Sequence, residues 1–175
     1  MDFAGTQEAT ICHLLEGDLG AGPAGIDRVL LMRKKRGVGA GLYNGPGGKV
    51  EPGETPAECA VREAREELRV DVRSLEKVGE LKFAFGGEPT FFCHVFRSAD
   101  FAGPARETPE ADPSWFPVDD LPYDEMWEDD REWFPHLLEG RPFRGLVAFD
   151  AAGEVMTACE LETDVELASP DTRSP

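Results

Sequence analysis

The sequence predicts an α+β fold in one domain that spans residues 1–167. The order of the patterns along the chain supports this: strands and a Gly-rich loop come first, then a helix, several strands, a Trp-rich helical segment and two final strands. Hydrophobic residues make up 41% of the chain, enough for a core. No Pro/Gly/Ser-rich linker divides the chain into two halves.

The strand predictions rest on short apolar runs and on turn residues between them. Thr10–Leu15 and Arg28–Arg33 are predicted strands, joined by a long Gly/Asp-rich loop at Glu16–Asp27. Leu75–Phe85 and Thr90–Arg97 flank Gly86-Gly87-Glu88-Pro89, which is typical of a hairpin. Ala168–Pro175 lacks apolar anchors, so a disordered tail is expected there.

One helix is marked more clearly than any other element. Thr55 is a suitable N-cap, Pro56 suits the first helical position and Glu58 completes a capping box. An apolar stripe follows at helical spacing and is expected to face the core. Its members are Ala57, Val61, Ala64 and Leu68.

Three carboxylates, Glu63, Glu66 and Glu67, share one face of this helix, directed away from the stripe. A solvated acidic face is the simplest interpretation, since glutamate favours helices. A Gly-rich loop, Asn44–Lys49, lies just upstream and is followed by Glu51 and Glu54. This combination favours a cation site beside a phosphate-sized ligand.

Composition excludes several classes of partner. The formal net charge is −17, which repels nucleic acid polymers and anionic lipid. No apolar stretch is long enough for a membrane helix, and the N-terminus lacks a secretory pattern, so a cytoplasmic protein is expected. The four cysteines have no metal-binding spacing and are expected to be reduced. Such acidity is typical of proteins from salt-loving organisms.

The region of the helix resembles the Nudix hydrolases, whose signature is G-x5-E-x7-R-E-U-x-E-E-x-G-U. Arg69 replaces the last glycine of that signature, and Ala64 occupies a position that is usually bulkier. Because that glycine site follows the helix end, a strained or shifted cap is expected at Arg69. The matching residues are Gly48, Glu54, Arg62, Glu63, Glu66 and Glu67.

The resemblance implies the Nudix fold, a mixed sheet sandwiched between helices with a loop-helix-loop box. It also implies Mg²⁺, with Mn²⁺ as a possible substitute, and hydrolysis by an activated water, for which Glu67 is the preferred base. Arg62 would orient a glutamate, although an ordinary surface ion pair is the alternative. The implied metal ligands are the Gly47 carbonyl, Glu63, Glu66, Glu67 and, in a loop where a surface acid is equally ordinary, Glu110.

Beyond the box, Arg28–Val50, Lys77–Phe96 and Trp115–Pro135 resemble family members that convert oxidised purine triphosphates, such as 8-oxo-dGTP and 2-hydroxy-dATP, to monophosphates. In these relatives an aromatic ring, an amide and two adjacent carboxyls hold the base. Two neighbouring carboxyls cannot both ionise cheaply, so one protonated acid would serve as a donor and allow tolerance of different purines. The matching residues are Asn44, Trp127, Asp129 and Asp130. Without the resemblance, the two acids would be interpreted as residues of a helix N-terminus and the tryptophan as a residue of the hydrophobic core.

Other positions match substrate contacts of the same relatives. Phe83 is favoured over Phe85 for the base pocket, while Val38 and Ala111 replace an aromatic residue and a methionine of that pocket. A roomier pocket is the expected consequence. The remaining matches, in or near the phosphate-binding loop and on the strands, are Thr10, Lys34, Gly47, Gly48 and Lys49.

Two alternatives stay open on the sequence. One is a Nudix pyrophosphatase for another nucleoside diphosphate derivative, such as an ordinary dNTP, a dinucleoside polyphosphate or ADP-ribose. The other is a catalytically silent nucleotide-binding module, against which the complete set of glutamates argues. Whether the substrate is an oxidised purine triphosphate or another nucleoside diphosphate derivative, we expect a monomer whose only partner is a small nucleotide.

Overall fold

The computed structural model describes residues 1–172 and contains two α-helices and eleven strands in that range. The helices are α1 (Pro56–Leu68) and α2 (Asp130–Glu139). The strands are β1 (Gln7–Gly17), β2 (Ile26–Lys34), β3 (Tyr43–Asn44), β4 (Gly47–Lys49), β5 (Asp71–Val72), β6 (Glu76–Phe85), β7 (Glu88–Ser98), β8 (Phe101–Ala102), β9 (Ala111–Pro117), β10 (Phe143–Phe149) and β11 (Met156–Thr163).

The main sheet is mixed and lies between the two helices, as the sequence predicts. Its strand order is β11-β10-β6-β7-β1-β2-β3, with β4 added to β1 and β9 added to β2. β1 runs parallel to β7, and β6 runs parallel to β10, whereas the remaining pairs are antiparallel. α1 packs its buried side chains on one face of the sheet and α2 packs on the other, so each face has its own core.

Three of the four predicted strands lie within longer observed ones, whereas the predicted Leu75–Phe85 begins one residue before β6. The connection between β6 and β7 is shorter than expected, because Glu88 and Pro89 belong to β7 and only Gly86 and Gly87 form the turn. Both glycines have positive φ, 58° and 84°, the backbone that a two-residue hairpin requires. The loop after β1 is also partly ordered, since Leu19–Ala21 and Pro23–Gly25 form short 3₁₀ turns.

Helix α1 begins as predicted, with the Thr55 hydroxyl accepting the Glu58 amide at 3.1 Å. The predicted apolar stripe is only partly correct. Ala64 and Leu68 are fully buried, but Ala57 and Val61 are half-buried, and Cys59 and Ala60 are buried instead. The helix is turned so that Glu67, 2% exposed, faces the sheet and not the solvent. A bond to the β4 backbone, described below, compensates this burial.

The segment expected to be a disordered tail is hydrogen-bonded where it begins. The Ala168 amide donates to Glu80 at 2.7 Å, and the Pro170 carbonyl accepts the Ala57 amide at 3.0 Å. The expectation therefore does not hold for Ala168 and Pro170, because their backbone groups bind a charged side chain and a helix amide without any apolar anchor. Residues 173–175 lie outside the described part of the chain. Within residues 1–172, none of the helices is apolar and long enough to span a membrane.

Candidate active site

Strand β4 places the Gly-rich loop directly beneath helix α1. The Gly47 amide donates to Glu67 Oε1 at 2.8 Å. A Cβ atom on Gly48 would lie 2.3 Å from Glu63 Oε1, and one on Gly47 would lie 2.0 Å from the Thr10 carbonyl oxygen. Only glycine allows the loop to pass between β1 and the helix, so these two positions bring the carboxylates to the loop backbone.

Arg62 connects the glutamates of the helix to the loop. Its Nε donates to Glu54 Oε1 at 2.7 Å, and its NH1 donates to Glu63 at 2.9 Å and to Glu66 at 3.2 Å. The same guanidinium binds the Lys49 carbonyl at 3.1 Å. A planar fork with five donors can hold three carboxylates and a carbonyl at once, which fixes the helix relative to the loop.

The electrostatics of this cluster favour a bound cation. Burial raises the pKa of Glu67 to about 8, the Gly47 amide opposes that shift, and Glu63 and Glu110 add to it. Burial also raises the pKa of Glu63, against the effect of Arg62. The positive charge of Lys34 lowers the pKa of Glu67. Buried carboxylates that repel each other are costly unless a positive charge lies among them.

The carboxylates do not converge on one point in the structure. Across residues 1–172, no three acidic, imidazole or thiol side chains form a metal-like cluster. Glu63 and Glu66 are bound to Arg62, and Glu67 is bound to Gly47. Glu110 lies in the loop before β9, where its carboxylate binds Arg36 at 3.0 Å and its carbonyl accepts the Lys35 amide at 2.9 Å.

A cavity of about 390 Å³ adjoins this loop on the α2 side of the sheet. Its lining includes Gly47, Gly48 and Lys49 of the Gly-rich segment as well as Asp129 and Asp130. The volume lies within the range that small-molecule sites occupy. The cavity thus connects the loop beneath the glutamates to the acidic pair at the start of α2.

The acidic pair is buried and incompletely hydrogen-bonded. Asp129 is 1% exposed and accepts the Trp133 indole N–H at 2.8 Å, while its Oδ1 has no partner. Asp130 is 2% exposed, and its Oδ2 also lacks a partner. The two acids do lie at the N-terminus of α2, as in the alternative interpretation, but Asp129 at the N-cap makes no side-chain bond to the backbone there.

Both carboxyls have raised pKa values, and that of Asp130 is raised further than that of Asp129. Burial raises the pKa of Asp129 to about 6, with the Trp133 bond opposing the shift. Burial raises the pKa of Asp130 well above its usual range, and the negative charge of Asp129 raises it further. One acid of the pair is thus a donor and the other an acceptor near neutral pH.

The other predicted contacts differ in what they present to the cavity. Asn44 Oδ1 accepts the Gly45 amide at 2.8 Å, so its NH₂ group is the end able to donate to a ligand. Lys34 lies at the wall, at the base of the loop that carries Val38. Thr10 lines the cavity, but its hydroxyl lies 3.3 Å from Cys59 Sγ, on the α1 side of the sheet.

Aromatic side chains form the walls. Phe83 was favoured over Phe85 for the base pocket, but both side chains line the cavity. Trp127 lies at the wall, with Phe85 and Phe149 packed at 6.1 and 5.2 Å between ring centroids. Sequence reasoning missed Phe91, which pairs with Phe83 across the β6–β7 ladder. The two-residue turn by itself would place Thr90 opposite Phe83, and a register shift between Phe83 and Ala84 brings Phe91 there instead.

The two departures expected to widen the pocket are not equivalent. Val38 lies at the cavity mouth and is 60% exposed. Ala111 is fully buried in the core beneath α1 and does not line the cavity, so its predicted effect on the pocket was wrong. The alternation of side chains along β9 directs it to the opposite face of the sheet.

Comparison with known proteins agrees with this arrangement. Residues 9–137 match the NUDIX domain family. The chain is 46% identical over 123 residues to the "Oxidized purine nucleoside triphosphate hydrolase" of Danio rerio, covering 70% of this chain and 79% of that protein. It is 41% identical over 138 residues to the protein of the same name from Mus musculus, covering 78% and 88%.

A similar fold occurs among solved structures. The mutator MutT protein of Bacillus halodurans superposes with a TM-score of 0.75 at 25% identity, covering 89% of this chain and 97% of that one. The superposition therefore includes strands beyond the region that matches the family, and the mixed sheet between two helices is shared.

Proposed function

Since this chain belongs to the NUDIX family of hydrolases, we propose that it hydrolyses oxidised purine nucleoside triphosphates, such as 8-oxo-dGTP and 2-hydroxy-dATP, to monophosphate and pyrophosphate. One observation carries the choice of substrate. A single cavity joins a buried acid pair with unpartnered oxygens to the Gly-rich loop beneath the glutamates. A purine held at the acids would extend its phosphates toward that loop.

Recognition of the base rests on proton placement. Either Asp129 or Asp130 can carry the shared proton, so the pair offers a donor and an acceptor in two arrangements. Asn44 adds its NH₂ group, and Trp127 with Phe83 supplies the apolar walls. Such a site would accept purines whose polar edges differ, including both oxidised bases.

We propose Mg²⁺ as the cofactor, with Mn²⁺ as a substitute. The available donors are oxygens only, and the raised pKa of buried Glu67 supports a cation nearby. When bound, the ion would neutralise phosphate charge and favour deprotonation of the attacking water. The residues that would hold it are Glu63, Glu66, Glu67, the Gly47 carbonyl and Glu110.

Different residues of the chain would then have different roles in hydrolysis. Glu67 is our candidate for the group that takes the proton from water, because its carboxylate lies at the Gly-rich segment, on the Gly47 amide. Arg62 keeps Glu63 and Glu66 in place through its fork of bonds. Lys34 and Lys49 line the cavity beside the Gly-rich segment and would bind phosphate oxygens there.

We further propose that residues 1–167 act as one domain and as a monomer in the cytoplasm, with a small nucleotide as the only partner. The net charge of −17 supports this exclusion of nucleic acid polymers and anionic membranes.

The decisive experiment measures pyrophosphate and monophosphate released from 8-oxo-dGTP, 2-hydroxy-dATP, dGTP and ADP-ribose with Mg²⁺, at low and high salt. We expect preference for the two oxidised purines, and loss of turnover in Glu67→Gln. Activity restricted to dGTP or ADP-ribose would retain the family chemistry but rule out the substrate. A matched control is Glu58→Gln, an exposed acid on the same helix.

A further inference from the structure

The segment Glu166–Pro170, called here the C-terminal strap, crosses the α1 side of the sheet after β11. Arg144 NH2 donates to the Glu166 carbonyl at 2.7 Å. The Ala168 amide donates to Glu80 Oε1 at 2.7 Å, and Lys77 Nζ donates to the Ala168 carbonyl at 2.9 Å. Backbone groups of the strap are thus held by charged side chains, which form the stronger kind of hydrogen bond.

The anchor of the strap is buried. Lys77 and Glu80 form an ion pair at 3.0 Å, and each side chain is only 4% exposed. Arg144 reaches the same carboxylate at 3.2 Å. A buried pair of this kind is rigid and needs all of its hydrogen-bonding capacity filled, and the Ala168 backbone fills part of it on both partners.

The far end of the strap meets the helix that carries the glutamates. The Ala57 amide, in the first turn of α1, donates to the Pro170 carbonyl at 3.0 Å. Pro56 has no N–H, and the Glu58 amide is taken by Thr55. Since the amides of a first turn have no partner within their own helix, the strap supplies the one acceptor that Thr55 does not.

We propose that the C-terminal strap is a positioning element of the active site, which fixes α1, and with it Glu63, Glu66 and Glu67, relative to the Gly47–Lys49 loop. The strap lies outside residues 9–137, the part of the chain that matches the family. The inference rests on the proposed function, because its consequence is a catalytic one. The base cavity lies on the opposite face of the sheet from the strap, so base binding should not depend on it.

The test compares three variants with the full chain. A chain that ends at Leu167 lacks Ala168 and Pro170, and Ala168→Pro keeps the full length but removes the amide that binds Glu80. A chain that ends at Thr172 is the matched control, because it keeps every described contact of the strap. Turnover of 8-oxo-dGTP, binding of 8-oxo-dGMP without metal, and amide hydrogen exchange are measured for each.

For the Leu167 chain we expect kcat to fall about tenfold, while KM and 8-oxo-dGMP affinity change by less than about twofold. Exchange should accelerate in the first turn of α1 and stay slow in the central strands. Ala168→Pro should show the same pattern more weakly, and the Thr172 chain should match the full one.

Unchanged kcat and unchanged exchange in α1 would overturn the proposal. Faster exchange throughout the sheet would also overturn it, since the strap would then serve general stability; if the Leu167 chain does not fold, the same criteria apply to Ala168→Pro. Exchange is read without substrate, so an inactive full chain would refute the proposed function independently of the strap.

Discussion

At the scale of single residues, the buried acids of this protein are held in environments that their charged forms do not favour. Asp129 and Asp130 have oxygens without partners, and Glu67 relies on one backbone amide. Such groups reduce folding stability and are typical of sites that bind a ligand. Substitution of these acids should therefore raise folding stability while it lowers activity.

The acid pair makes stability depend on pH. Its folded-state pKa values are raised, so the folded chain binds more protons than the unfolded chain, and stability falls as pH rises from about 4 through about 6 for Asp129. The loss from Asp129 alone is on the order of 2–3 kcal/mol. Asp130→Asn should flatten this fall and be more stable than wild type at pH 8, while losing activity on 8-oxo-dGTP.

Denaturant unfolding between pH 4 and pH 8 measures this difference. Asp119→Asn, an exposed acid, is the control and should parallel wild type. A variant Asp130→Asn with the same pH slope as wild type would show that the pair ionises freely.

A second residue-scale prediction concerns the close approach of Gly48 to Glu63. Because an added Cβ would lie 2.3 Å from Glu63 Oε1, Gly48→Ala should displace that carboxylate and lower kcat about 100-fold. Stability should change little, since the far end of a flexible side chain can move. In the Glu63→Ala background, Gly48→Ala should lower kcat almost no further. Additive losses of kcat in the double variant would contradict this mechanism.

At the scale of elements, helix α1 combines good local signals with one unfavourable one. Thr55 and Pro56 start it as expected. At its end Arg69 adopts a left-handed backbone, φ 59° and ψ 33°, with its amide on the Ala64 and Arg65 carbonyls. The cap is therefore formed, but by a residue with a Cβ atom.

Arg69→Gly should stabilise the chain by about 1 kcal/mol, because glycine adopts this backbone without steric cost. Arg65→Gly, which removes the same charge from the preceding turn, should destabilise it by a similar amount. Thermal unfolding of both variants gives the comparison. If Arg69→Gly lowered the melting temperature, contacts of the arginine side chain would outweigh the backbone strain.

At the scale of the whole molecule, the negative net charge is the feature that most affects folding stability. The chain carries 35 acidic and 18 basic residues, and many ion pairs are exposed, such as Arg28 with Glu16 and Arg141 with Asp164. Exposed pairs add little stability, and the excess negative charge opposes compaction. Ionic strength should therefore affect this fold more than it affects a neutral one.

We expect the melting temperature to rise by several degrees between about 0.05 M and about 1 M NaCl, as the Debye length falls to about 3 Å. A variant with Asp119→Asn, Asp120→Asn and Glu139→Gln, all exposed, should respond less strongly. Equal salt responses in the two proteins would assign the effect to general salting-out and not to screening.

The sequence by itself determined the elements whose signals are local. The start of α1, the long strands and the spacing of Arg62 and the glutamates are properties of neighbouring residues, and the structure contains them. The Gly-rich segment was predicted as a loop, but Gly47–Lys49 form β4. The resemblance led to Asp129 and Asp130, and the structure places both at the cavity.

The face of the sheet or helix that each side chain occupies depended on packing between distant parts of the chain. A one-position difference along a strand or a modest rotation of a helix changes that face, and distant partners determine both. For this reason Glu67 lies buried on Gly47, Ala111 lies outside the pocket, Phe91 lies within it, and Pro170 contacts Ala57. Local sequence patterns contain no information about partners so far apart in the chain.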